Sequence, residues 1–94
     1  MAAPAAAALR GTDPVLRVGS PDIVVTSLRP SRDGRAVIAR LYNASLRAVQ
    51  AAIAGRSGTT PRLSDPDERP GAAVAGPLRF APVEIITLRI EKRD

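Results

Sequence analysis

The stretch "AVIARLYNASLRAVQAAIAG", Ala36 to Gly55, decides the fold. Ile38, Leu41, Ser45, Ala48 and Ala52 recur three or four residues apart, as along one face of an amphipathic helix. Val37, Ala39 and Leu41 alternate instead, as do Val49, Ala51 and Ile53, which describes two short strands turning at "NAS". Alanine favours the helix by roughly 0.5 kcal/mol per residue, a few kcal/mol over about ten residues. Cross-strand pairing and packing can offset a sum of that size. Propensity alone leaves both readings open.

The flanks are punctuated like a β protein. "VLRV" is followed by "GSPD", and "IVVTSL" by "RPSRDGR", where Pro30 ends the run and Asp33-Gly34 signals a tight turn. After the deciding stretch come "GRSGTTP" and a loop-rich segment from Ser64 to Gly76 with a weak strand at "AAV". "PLRF", "APVE" and "IITLRIE" close the chain. In the last run Ile86, Leu88 and Ile90 share one face and Thr87 and Arg89 the other, the alternation of a half-buried antiparallel strand. Apolar runs of this kind, about seven of them at spacings of roughly 8–12 residues, predict a small antiparallel immunoglobulin-like β-sandwich. Residues 1–14, Ala-rich and ending in "GTDP", are expected to be a disordered leader or linker, leaving 15–94 as the single domain.

A chain of 94 residues has room for one core. Hydrophobic residues make up 45% of it, but with one Tyr, one Phe and no Trp that core must be small and aliphatic. The net charge of +5 comes from thirteen Arg and one Lys against nine acids. These arginines are spread along the chain without a basic run, which reads as a compositional bias rather than a phosphate-recognising patch. Single-stranded nucleic acid would also lack stacking platforms, since Tyr42 and Phe80 are the only aromatics. Nucleic acid is therefore not an expected partner. No apolar run approaches the ~20 residues of a membrane span, and the start lacks the features of a signal peptide. No membrane partner and a cytoplasmic location are the expectations.

The absence of Cys and His removes thiol nucleophiles, imidazole bases and the commonest zinc ligands. Asp65, Asp67 and Glu68 in "SDPDE" form the one acidic cluster. They offer oxygen ligands for a hard cation such as calcium, but without the alternating ligands and following Gly-rich turn of a calcium loop. A solvated loop stiffened by Pro66 and Pro70 is the expectation. Glu84, between Val83 and Ile85, is expected on a strand edge and has no identifiable carboxylate partner of the kind glycoside cleavage needs. Ser and Thr hydroxyls have no charge relay, and "GRSG" lacks the spacing and Lys of a phosphate loop. Asn43 to Ser45 formally match a glycosylation acceptor, yet a turn is the expected role. No catalytic, metal-binding or cofactor-binding residue is assigned.

Three segments, "DIVVTSLRPSRDG" (Asp22–Gly34), "RLYN" (Arg40–Asn43) and "PVEIITLRI" (Pro82–Ile90), resemble in this order the C-terminal β-sandwich of glycoside hydrolase family 38, the α-mannosidase family. "LSDPDERPG" sits where that family places a strand and loop, and the resemblance covers about Val15 to Glu91. Ser27, Arg29, Val83 and Ile86 stand where the family often has Ala, Lys, Phe and Lys; Val83 for Phe is expected to remove a large core anchor. The resemblance implies a hairpin turning at "NAS". It also implies a non-catalytic accessory domain that packs on the catalytic region of a parent hydrolase through an exposed apolar patch. The zinc ion and nucleophilic Asp of such enzymes belong to that region, so the chain itself is expected to hold no cofactor. The alternative is a free-standing β-sandwich binding module for carbohydrate or an acidic partner. A helix at Ala36 to Gly55 would instead suggest a small α+β nucleic-acid binder, provided the arginines gathered on one face.

Overall fold

A computed structural model describes residues 5–7 and 15–92. Residues 1–4 and 8–14, most of the expected leader, lie outside the described residues. Among the described residues all regular structure is strand: β1 (Ala5–Ala7), β2 (Leu16–Val18), β3 (Ile23–Pro30), β4 (Ala36–Asn43), β5 (Val49–Ala51), β6 (Ile53–Gly55), β7 (Thr59–Ser64), β8 (Pro70–Ala73), β9 (Leu78–Phe80) and β10 (Ile85–Lys92). A five-stranded sheet runs β3-β4-β10-β7-β8. Opposite it lie a three-stranded sheet, β1-β2-β6, and the pair β5-β9. Every described pairing is antiparallel. The fold is a small β-sandwich.

The deciding stretch is strand, not helix, and tertiary pairing explains why the alanines do not prevail. Ala39 and Leu41 are fully buried from one face of β4, and Ala51 is buried from β5. The small side chains let the two layers approach. The hairpin expected at "NAS" does not form, however. Both edges of β4 are already occupied, by β3 and β10, so β5 crosses to the other layer and pairs with β9. Asn43 makes that crossing. Its side-chain oxygen accepts from the Ser45 amide (3.0 Å) and the Ser45 hydroxyl (2.8 Å). Its nitrogen donates to the Arg47 and Ala81 carbonyls, at 2.8 and 3.0 Å. The side chain is fully buried, so Asn43 does not present a glycosylation acceptor in the folded chain.

The other expected runs became strands except "APVE", which forms the Ala81–Glu84 turn closed by the Glu84 amide donating to the Ala81 carbonyl at 3.1 Å. Three refinements apply. "AVQAAIA" divides into β5 and β6 at Ala52, whose carbonyl accepts from the Gly19 amide at 2.9 Å. The weak strand at "AAV" begins earlier, at Pro70. A strand that the pattern did not predict, β7, lies between β10 and β8 with Pro61 inside it. The Pro61 carbonyl points towards β8 and accepts from the Val74 amide at 2.9 Å. Its ring nitrogen faces the same way, so the missing N–H removes no bond from the β10 ladder.

The core lies between the layers around Phe80, Leu16, Ile23, Leu41 and Leu88, each 0–1% exposed. Ile23, Val25 and Leu28 of β3 all reach it because a bulge at Thr26 shifts the register between Val25 and Ser27. Gly34 closes the β3–β4 hairpin at φ +74°, a left-handed position that suits Gly. Val83 is not a core position. It stands half-exposed in the Ala81–Glu84 turn at φ +54°, a costly conformation for a β-branched residue. Phe80, three residues earlier, supplies the aromatic anchor of the core instead.

Candidate functional site

The outer face of the five-stranded sheet is built of cross-strand rows set by the register. Val24, Tyr42 and Ile85 form one row across β3, β4 and β10. Ser27, Arg40 and Thr87 form the next. Arg29, Ile38, Arg89 and Arg62 form a third, extending onto β7. Four arginines scattered in sequence therefore share one face. Sequence spacing did not show this, because their alignment depends on which strands pair.

One half of that face is covered by the chain itself. After β7, Asp65 to Glu68 make a turn closed by the Glu68 amide donating to the Asp65 carbonyl at 2.9 Å. The Asp65 carboxylate accepts from the Asp67 and Arg69 amides, at 2.9 and 2.8 Å. Glu68 follows at φ +67°, the left-handed position that usually takes Gly in such hairpins. Its side chain gives the reason. The carboxylate accepts from Arg29 Nη1 at 2.6 Å and from the Arg32 amide at 2.8 Å. The Glu68 carbonyl accepts from Arg89 Nη1 at 3.2 Å. The acidic cluster is thus more than a solvated loop: Asp65 and Asp67 pair with Arg69, while Glu68 is buried and latches the turn to the sheet.

Arg89 is 5% exposed although it points away from the core. It donates to Asp33 (2.9 Å) and Glu91 (2.9 Å), and Glu91 also pairs with Arg62 (3.0 Å). Asp33 is held well below the usual carboxylate range by the Ser31 hydroxyl first, then by the Arg35 amide and Arg89. Glu68 is also lowered, by the Arg32 amide first and then by Arg29. Hydrogen bonding to Glu91 raises Arg89, against the opposing effect of burial. The ordinary range for these carboxyls is about 4. Because both fold with lowered pKa values, their stabilisation is complete above that range and is lost as pH falls below it. The urea midpoint is therefore expected to be flat from about pH 5 to 8 and to fall below about pH 4, with a shallower fall in Glu68→Gln. An unchanged midpoint down to about pH 3 would contradict these ion pairs.

The other half of the face is bare. Val24 is 44% and Ile85 57% exposed, with Tyr42 half-buried between them. Two more exposed apolar side chains, Leu46 and Val83, lie in the loops at this end of the sheet. Between the bare row and the latch runs a groove of about 450 Å3, lined by Ser27, Arg40, Thr87, Ile38, Ile85 and Asp65 among others. A second hollow of about 710 Å3 at the opposite end is lined by Val15, Arg35 and Arg56, but also by Asp33 and Glu91. Glu84 lies in a turn and not on the expected strand edge, because its carboxylate accepts from the Ala81 amide at 2.7 Å and its amide donates to the Ala81 carbonyl at 3.1 Å. Among the described residues no three His, Cys, Asp or Glu side chains converge to hold a metal ion. No helix among them is long and apolar enough to cross a membrane.

No protein-family model, curated protein or solved structure matches the chain.

Proposed function

We propose that the chain is a non-catalytic accessory domain of an α-mannosidase-like glycoside hydrolase, packing on the catalytic region through the outer face of its larger sheet. The apolar row of Val24, Tyr42 and Ile85 carries this reading, because it lies bare on a sheet whose other half the chain covers itself. Covering such a row is the ordinary role of a docked neighbour. The order and spacing of "DIVVTSLRPSRDG", "RLYN" and "PVEIITLRI" support the choice of parent. The carboxylates give no support to catalysis here, since Asp65, Asp67, Glu68 and Asp33 are each engaged in turns or ion pairs. The chemistry of mannoside cleavage, with its zinc ion, belongs on this reading to the partner.

The test mixes the purified chain with an α-mannosidase catalytic region that lacks its own terminal sandwich, and follows association by sedimentation. Association weakened by Val24→Asp and Ile85→Asp supports docking through this face. Heat evolved on titrating mannosides into the chain alone, with no association, would overturn it in favour of a free-standing carbohydrate module.

A further inference from the structure

We infer that the Ser27–Arg40–Thr87 row is a carboxylate-recognition site at the centre of the docking face, so that the partner presents an Asp or Glu side chain ringed by apolar groups. The inference rests on the docking reading and adds the chemistry of the partner. Of the four arginines on this face, three are neutralised within the chain: Arg29 by Glu68, Arg62 by Glu91, and Arg89 by Asp33 and Glu91. Arg40 is exposed and its guanidinium has no partner among the described residues. Nor do the hydroxyls of Ser27 and Thr87, which stand opposite it on the two neighbouring strands. The nearest acidic wall of the groove cannot serve, because Asp65 is bound by Arg69 and Glu68 by Arg29 and Arg32.

The surroundings select the ligand. Ile38 and Tyr42 flank Arg40 on its own strand, and Val24 and Ile85 complete an apolar margin. A planar guanidinium matches a carboxylate through two parallel hydrogen bonds. With the margin covered, water is excluded and that pair strengthens. Phosphate fits less well, because one unpaired arginine faces it while Asp65 and Glu68 stand in the same groove. A second copy docked face to face about a two-fold axis would bring Arg40 towards Arg40. An acidic side chain from a different protein surface sets no second arginine against Arg40. Its single charge, unlike the nearly double charge of a phosphate, is matched by Arg40 alone beside acids already paired with Arg69, Arg29 and Arg32.

The test uses the isotope-labelled chain and two blocked peptides, Leu-Glu-Leu and Leu-Gln-Leu, with resonance shifts as the readout. The Glu peptide is expected to move Arg40, Ser27 and Thr87 together with Val24 and Ile85. The Gln peptide is expected to bind about tenfold more weakly, and Arg40→Gln to abolish the difference. The Arg40 guanidinium has no hydrogen bond or ion pair among the described residues to lose, and the unbound spectrum of the variant checks that the fold is kept. Equal binding of both peptides at Val24, Tyr42 and Ile85 overturns the carboxylate site while leaving the docking face intact. Binding at Arg17, Arg35 or Arg79 instead, or no response to either peptide, also overturns it. Loss of the docking reading itself would show separately, as failure of the catalytic region to associate.

Discussion

Phe80→Ala is expected to reduce the unfolding free energy by about 3–5 kcal/mol. Phe80 is fully buried where β9 brings it against the core cluster, opposite Val49 of β5. The chain has no second Phe and no Trp, so the neighbours that could collapse into the vacated space are aliphatic or small. A domain of this length is stable by roughly 5–14 kcal/mol in total, so the change removes a large fraction. The melting temperature should fall on the order of 15–30 °C. Urea unfolding followed by far-UV circular dichroism measures it. A loss below about 1 kcal/mol would mean that Phe80 does not fill the centre of the core.

Arg89→Leu is expected to cost about 2–4 kcal/mol. The guanidinium is buried and holds three acceptors on three segments: Asp33 in the β3–β4 turn, Glu91 on its own strand and the Glu68 carbonyl in the latch. Leucine keeps apolar bulk at the position but removes the Arg89 donor from all three, leaving Asp33 to Ser31 and Arg35 and Glu91 to Arg62. The latch should loosen with it, because the Arg29 and Arg32 contacts alone then hold Glu68. Hydrogen exchange at the Glu68 and Arg69 amides should rise accordingly. Arg40→Leu on the same face has no ionic partner among the described residues to lose, and should stay within about 0.5 kcal/mol of the parent chain. Equal effects from the two substitutions would contradict the network. A circular dichroism spectrum of β type in both variants keeps the comparison sound.

Strand identity was legible where alternation was strong. Ile86, Leu88 and Ile90 share the inward face of β10, as their alternation predicts, whereas for Val37, Ala39 and Leu41 of β4 alternation competes with a helical spacing and strand pairing decides. Asp33-Gly34 read correctly as a turn, since a left-handed residue is needed where Gly34 stands. Strand β7 was missed because Pro61 and a short polar run hide its pattern, and only the direction of the Pro61 carbonyl makes it acceptable there. The candidate face was hidden for a related reason. Val24, Tyr42 and Ile85 lie far apart in the chain and share no local signature.

What the sequence by itself determined is the class of the protein: antiparallel strands around a small aliphatic core, without thiol or imidazole chemistry. Outside Ala36 to Gly55, where helix and strand spacings coincide, periodicity and turn residues suffice for that, because both act over a few neighbouring positions. What only the tertiary structure decided is which strands pair and which charges meet. "NAS" became a crossing between layers because β3 and β10 had already taken both edges of β4. Glu68 became a latch because the β7–β8 turn folds back to Arg29, thirty-nine positions away in the chain. Arg40 has no ionic partner among the described residues, because three neighbouring arginines engage the acids within reach. Pairing of this kind depends on register between distant segments, and no local spacing encodes it.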